Sequence, residues 1–225
     1  MRILPLRIYD TPDVGDYVIH FTGRNGSRIN VASRIEALAA QERLLHILVD
    51  GVIRGFETFG ADGPVVCLTE STKEALRKLI AEGRYEPCGI GFSKQLVFDG
   101  GGGPALYVRG DEWQAAADAL AHPLRSRIVR FWPGARADGD ETLSHHLRTP
   151  SEWLHEREWR VPGDFRFRWT DVKFLVVPHV RWQEFYTRWI ETWAGSEYGA
   201  VFANIPAVVI DDAGNVARDE FGIWS

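Results

Sequence analysis

"WLHEREWRV", residues 153–161, sets Glu156 and Glu158 one residue apart between tryptophans, and it runs directly into "PGDFRFRWTDVKFLVVP". That continuation is rich in β-branched and aromatic residues and ends in an apolar run from Val172 to Val177 broken only by Lys173, which reads as strand. In an extended chain, side chains two apart leave the same face, so Glu156 and Glu158 are expected to share one side and Arg157 and Trp159 the other. The expectation is a carboxylate pair at the mouth of a sheet. Two solvated charges guarding an edge strand would give the same local pattern.

Upstream, "YVIHFT" at 17–22 reads as a strand carrying His20, closed by the turn cluster "GRNGS". A helix is expected across "NVASRIEALAAQERLLHILVDG", with Val31, Ile35, Leu38, Leu45 and Val49 on one stripe and Gly51 as its left-handed stop. "VVCLTE" is the next strand. Ser71 with Glu74 three residues on predicts a capping box for the helix "TKEALRKLIAEG", ended by Gly83. "CGIGFSKQLVFD" and "PALYV" read as two strands joined through the glycines at 100–103, and residues 113–120 as a small Ala-rich helix. "SRIVRFW" fits strand or helix, and 133–144 reads as a polar loop. Trp182, Phe185, Tyr186, Trp189, Ile190 and Trp193 form an aromatic stripe at helical spacing, read as core packing, before a last strand "AVVI" at 207–210.

Composition narrows the function classes. The 225 residues carry a net charge of −5, so the whole-molecule field gives no support for a surface that tracks phosphates, although Arg125, Arg127, Arg130, Arg136 and Arg148 leave a local basic strip open. No linker divides the chain, which reads as one domain over 1–225. Cys67 and Cys88 have neither metal spacing nor a disulfide framework. A cytoplasmic location is expected, with no signal peptide and no window near the ~20 apolar residues of a membrane span. "GGGGP" at 100–104 is not a dinucleotide fingerprint and no P-loop is present.

Taken in order, the pieces are a strand with His20, a helix ending "LLHILVDG", a strand entering "LTES" at a helix start, further strands, and a strand opening on Glu158 in "EWRV". This order resembles the ADP-ribosyltransferase superfamily, nearest to bacterial phage-defence and abortive-infection proteins and to DNA-targeting ADP-ribosyltransferase toxins. The resemblance implies an α+β fold with a split mixed β-sheet core flanked by helices. It also implies NAD as substrate, no metal, no membrane, and transfer of ADP-ribose to a macromolecular acceptor, with a cognate toxin or antitoxin partner possible.

By the same resemblance Glu158 is the catalytic carboxylate and Glu156 the second one. His20, Thr22, Arg24, Thr69 and Ser71 are the dinucleotide-binding residues, with the hydroxyls of Thr69 and Ser71 placed on the nicotinamide ribose or supporting the glutamate. A carboxylate suits this chemistry because breaking the nicotinamide–ribose bond develops positive charge on the sugar. Two other readings stand beside it. One is a non-catalytic binding or immunity partner with the same fold, and the other a metal-dependent nuclease using His145, His146 and Glu156.

Overall fold

The computed structural model of the chain describes residues 15–24, 38–58, 61, 63–132, 154–180, 182–193, 195–196, 199 and 203–223, with the backbone alone for Arg24, Gln183, Phe185 and Ile190. Its strands are β1 (Tyr17–Arg24), β2 (Val52–Ile53), β3 (Val65–Thr69), β4 (Tyr85–Ser93), β5 (Gly103–Pro104), β6 (Leu106–Arg109), β7 (Ile128–Phe131), β8 (Glu158–Pro162), β9 (Phe165–Arg166), β10 (Phe174–Pro178), β11 (Ala207–Ile210) and β12 (Val216–Asp219). Its α-helices are α1 (Ala40–Asp50), α2 (Lys73–Ala81), α3 (Lys94–Asp99), α4 (Trp113–Ala119) and α5 (Trp182–Trp193).

Eight strands form one mixed sheet in the order β12-β11-β10-β4-β1-β3-β8-β5. All its neighbours are antiparallel except β10 and β11. Two small sheets, β2 with β9 and β6 with β7, complete the α+β architecture.

Alternation along the strands sends neighbouring residues to opposite faces of the large sheet, and each face is apolar. On the Val18 face, Val18, Leu68, Ile90, Phe92, Trp159 and Val161 pack with Leu44 and Leu48 of α1 and Trp189 of α5. On the Ile19 face, Ile19, Phe21, Phe174 and Val176 pack with Leu76, Leu79 and Ile80 of α2. Burying both faces explains why the strands read as nearly continuous apolar runs. Within the sheet, a Cβ at Gly91 would overlap the ring of Phe174, which is fully buried.

The structure amends several local expectations. Within α1 the buried positions are Ala40, Leu44 and Leu48, with Leu45 and Val49 only partly covered. The stripe is rotated by one residue because α1 packs through Ala40, Leu44 and Leu48, an i, i+4, i+8 row. Gly51 does stop that helix, at φ 62°, donating to the Ile47 carbonyl at 3.0 Å. Thr72, not Ser71, caps α2, accepting from the Ala75 amide at 3.3 Å, while Glu74 turns outward to Arg77.

"KQLVFD" is helical where a strand was expected, because Ser93 caps the Leu96 amide and Val97 enters the core. "SRIVRFW" divides into a 3-10 turn at Leu124–Arg127 and β7. Strand β12, which follows the "DDAGN" turn, had no counterpart in the sequence reading. Residues 25–37 and 133–153 lie outside the described residues, so the first part of the helix expected from residue 30, the polar loop and the nuclease histidines His145 and His146 are not placed.

Candidate active site

Glu156 does not enter the sheet in extended form. It ends a 3-10 turn, Leu154–Glu156, and Arg157 then takes φ +43°, the one non-glycine among the described residues in the left-handed region. Such a backbone costs on the order of 1–2 kcal/mol unless its surroundings hold it. Here they do. The Arg157 amide donates to Leu154 O at 3.2 Å, and its carbonyl accepts from the Glu70 amide at 3.2 Å. Ser71 Oγ donates to His155 O at 3.1 Å and Glu156 O at 3.2 Å, and Thr69 Oγ1 donates to Glu156 O. Thr69 and Ser71 therefore hold the turn that precedes Glu158 through the carbonyls of His155 and Glu156.

Turn geometry replaces the two-residue alternation that was expected to align the glutamates. Both nevertheless reach the Ile19 face, by different routes. Glu158 is registered with Thr69, and Thr69 with Ile19. Glu156 accepts from the Tyr85 hydroxyl at 3.1 Å, and Tyr85 stacks on Phe21 at 4.9 Å within the same core cluster. Glu156 also takes Arg84 Nη2 at 3.1 Å and is 2% exposed. It is an anchored carboxylate inside the protein.

Glu158, 7% exposed, opens β8 and is gripped from two residues on. Arg160 Nε donates to its Oε1 at 3.1 Å and Nη2 to its Oε2 at 3.2 Å, a two-pronged charge-assisted contact. The third nitrogen, Nη1, donates to Ile128 O at 3.2 Å and Ser126 O at 3.4 Å, where the 3-10 turn meets β7. Burial alone pulls the Arg160 guanidinium down, but Glu158 beside it, with Cys67 and Tyr107, sets it above its ordinary value. The two contacts leave part of the carboxylate's four lone-pair sites for another donor.

The remaining expected residues are elsewhere. His20 is registered with Ile90 and so belongs to the Val18 face, across the sheet from Glu158. Its Nδ1 carries the proton in a 2.9 Å bond to Cys67 O, since a carbonyl only accepts. The Thr22 hydroxyl, 5% exposed, lies 2.7 Å from Ala40 O and 3.1 Å from Cys88 O, so it ties β1 to α1 and β4. Arg24 ends β1 opposite Tyr85, at the far end of the strand from Tyr17 and Ser93.

Four polar side chains near the glutamates had not been singled out. Glu70 takes Lys94 Nζ at 2.7 Å and Trp159 Nε1 at 2.9 Å on the Val18 face, and Arg84 and Arg160 hold the two glutamates on the other. Arg160 had a local signal, an opposite charge at i+2 on a strand. The partners of Glu156, Arg84 and Tyr85, are 72 and 71 residues away, and Trp159 is 89 from Glu70, so no local spacing points to them.

Comparison of the chain with protein-family models, with curated proteins and with solved structures finds no match. Among the described residues no helix is long and apolar enough to cross a membrane, and no three His, Cys, Asp or Glu side chains gather as a metal site.

Proposed function

We propose that the chain is an NAD-dependent ADP-ribosyltransferase of the toxin or phage-defence kind. It would cleave the nicotinamide–ribose bond and pass ADP-ribose to a macromolecular acceptor. The observation that carries the reading is the neighbourhood of Glu158. Strands β1, β3 and β8, which bear His20, Thr69 and Glu158, lie side by side, and Thr69 sits directly across from Glu158 while its hydroxyl fastens the preceding turn. A split mixed sheet of the ADP-ribosyltransferase type is part of the same proposal. It is supported by β1 and β3 meeting at a single paired position, Ile19 with Thr69.

In the reaction the ribose C1′–nitrogen bond breaks and nicotinamide leaves with the electron pair. Glu158 stabilises the oxocarbenium-like sugar, and the acceptor's nucleophile bonds to C1′ and releases its proton. Glu156 is buried and held by Arg84 and Tyr85, so it is given no part in activating the acceptor. Glu156 is read instead as the group that fastens Arg84 and Tyr85.

A second reading, a non-catalytic binding or immunity partner, is favoured by a different observation: His20 and Glu158 face opposite sides of the sheet, and both glutamates are engaged by internal cations. Incubation with NAD labelled in the ADP-ribose part, following free nicotinamide and label on macromolecules, separates the two. Transfer that is lost in Glu158→Gln supports the enzyme. NAD binding with no nicotinamide release supports the partner.

A further inference from the structure

Arg160 touches Glu158 with two nitrogens and the carbonyls of Ser126 and Ile128 with the third. It is 2% exposed, so water does not compete for its donors. A guanidinium is planar and its forks are rigid, which means that fixing one prong on a backbone carbonyl fixes the plane offered to the carboxylate. The carbonyls are in turn fixed by local structure. The Ser126 amide donates to Pro123 O at 3.1 Å, and Ile128 is fully buried and registered with Leu106 across β6 and β7.

We infer that Arg160 is a positioning residue that sets the orientation of the Glu158 carboxylate from the junction before β7, leaving its remaining lone pairs aimed at the sugar. This rests on the function proposed above. Glu158 has three rotatable bonds, and the charge it places against the ribose is effective only in a narrow range of positions, so a misplacement near 1 Å costs on the order of 100-fold in rate. The arrangement also makes the 124–131 segment part of the catalytic apparatus without touching substrate. A change there that moves the Ile128 carbonyl reaches Glu158 through one side chain.

The test compares the wild-type chain with Arg160→Lys and Arg160→Gln, reading kcat and KM for NAD by nicotinamide release and the melting temperature of each. Lysine keeps the charge but not the fork. The expected result for Arg160→Lys is a kcat lower by on the order of 100-fold with KM within about threefold of wild type, and recovery of rate in Arg160→Gln when millimolar guanidinium or methylguanidinium is added. Unchanged kcat in a folded Arg160→Lys protein overturns the positioning role while leaving the enzyme reading intact. A rise in KM with kcat unchanged overturns it as well, since it assigns Arg160 to binding. Absence of nicotinamide release from the wild type overturns both. Where Arg160→Gln does not fold, Ser126→Pro, which disturbs the carbonyl bracket without removing any charge, takes its place, with the same fall in kcat expected and unchanged kcat overturning the proposal.

Discussion

On the Ile19 face of the sheet the Glu158–Arg160 pair is sealed, and Glu156 is buried beside an Arg84 whose side chain is 28% exposed. Glu156, Glu158 and Arg160 keep 2, 7 and 2% of their surface; Glu156 is bonded to Arg84 and Tyr85, and Glu158 to Arg160. On the Val18 face the Lys94 and Glu70 side chains keep 20 and 13% and border solvent. The two clusters use similar bonds at similar lengths, 2.7 to 3.2 Å. What differs is the environment. Breaking one partner of a sealed pair strands an uncompensated charge in a low-dielectric interior, whereas breaking the other lets water in.

The sharpest way to break the comparison is Arg160→Met. Removing the cation alone is expected to cost about 3–5 kcal/mol, read as a shift of the urea midpoint. The double variant Glu158→Gln/Arg160→Met should recover most of that loss, because both charges leave together. A double variant no more stable than the single one would mean that packing rather than charge sets the cost.

Next in size is Gly91→Ala on the same face, where the new methyl meets the Phe174 ring and no space is left to swing it. A loss of about 1–3 kcal/mol is expected by thermal melting. Lys94→Met on the Val18 face should cost only about 1 kcal/mol. An effect as large as that of Arg160→Met would erase the distinction between the faces.

Arg157→Gly sharpens the comparison from the opposite side. Glycine adopts φ +43° without strain but adds freedom to the unfolded chain, so the net change is expected within about 1 kcal/mol of zero. An arginine-to-glycine change that costs several times this would place the Arg157 side chain among the stabilising contacts. The smallest effect concerns reactivity. Burial first, and Glu86 second, push the Cys88 thiol up to about 12 against the opposing pull of Arg43. At neutral and mildly alkaline pH the thiol is therefore protonated. Iodoacetamide at pH 8 should leave Cys88 unmodified in the folded protein, and mass spectrometry of the peptide containing it checks this.

Strands β1, β3, β10 and β11 and most helices were legible because both faces of the sheet are apolar, which gives those strands largely hydrophobic stretches, and because Gly51 marks a helix end by its backbone alone. The site was legible only in part. Glu158 stood out through its context, yet its pairing with Glu156 was inferred from an extended chain, and a left-handed arginine cannot be read from spacing. The segment at 94–99 was lost for a related reason. "KQLVF" has β-forming character, and the Ser93 cap that turns it into a helix is a hydrogen bond from one serine. His20 was placed with Glu158 by their order along the chain, whereas the face a side chain takes depends on register, and a shift of one residue reverses it.

Strand β1 pairs with β4 at seven positions and with β3 at one. Among the described strands the eight-stranded sheet is therefore two ladders, five strands and three, stitched at Ile19 and Thr69 and reinforced by the ring of His20 on the Cys67 carbonyl. Amide protons report such a boundary directly. In heavy water those of β4, flanked by β1 and β10, should exchange among the last, and those of β3 that face the seam well before them. The three-strand part, which carries Glu158, thus has a path to open by itself while the rest of the sheet stays closed.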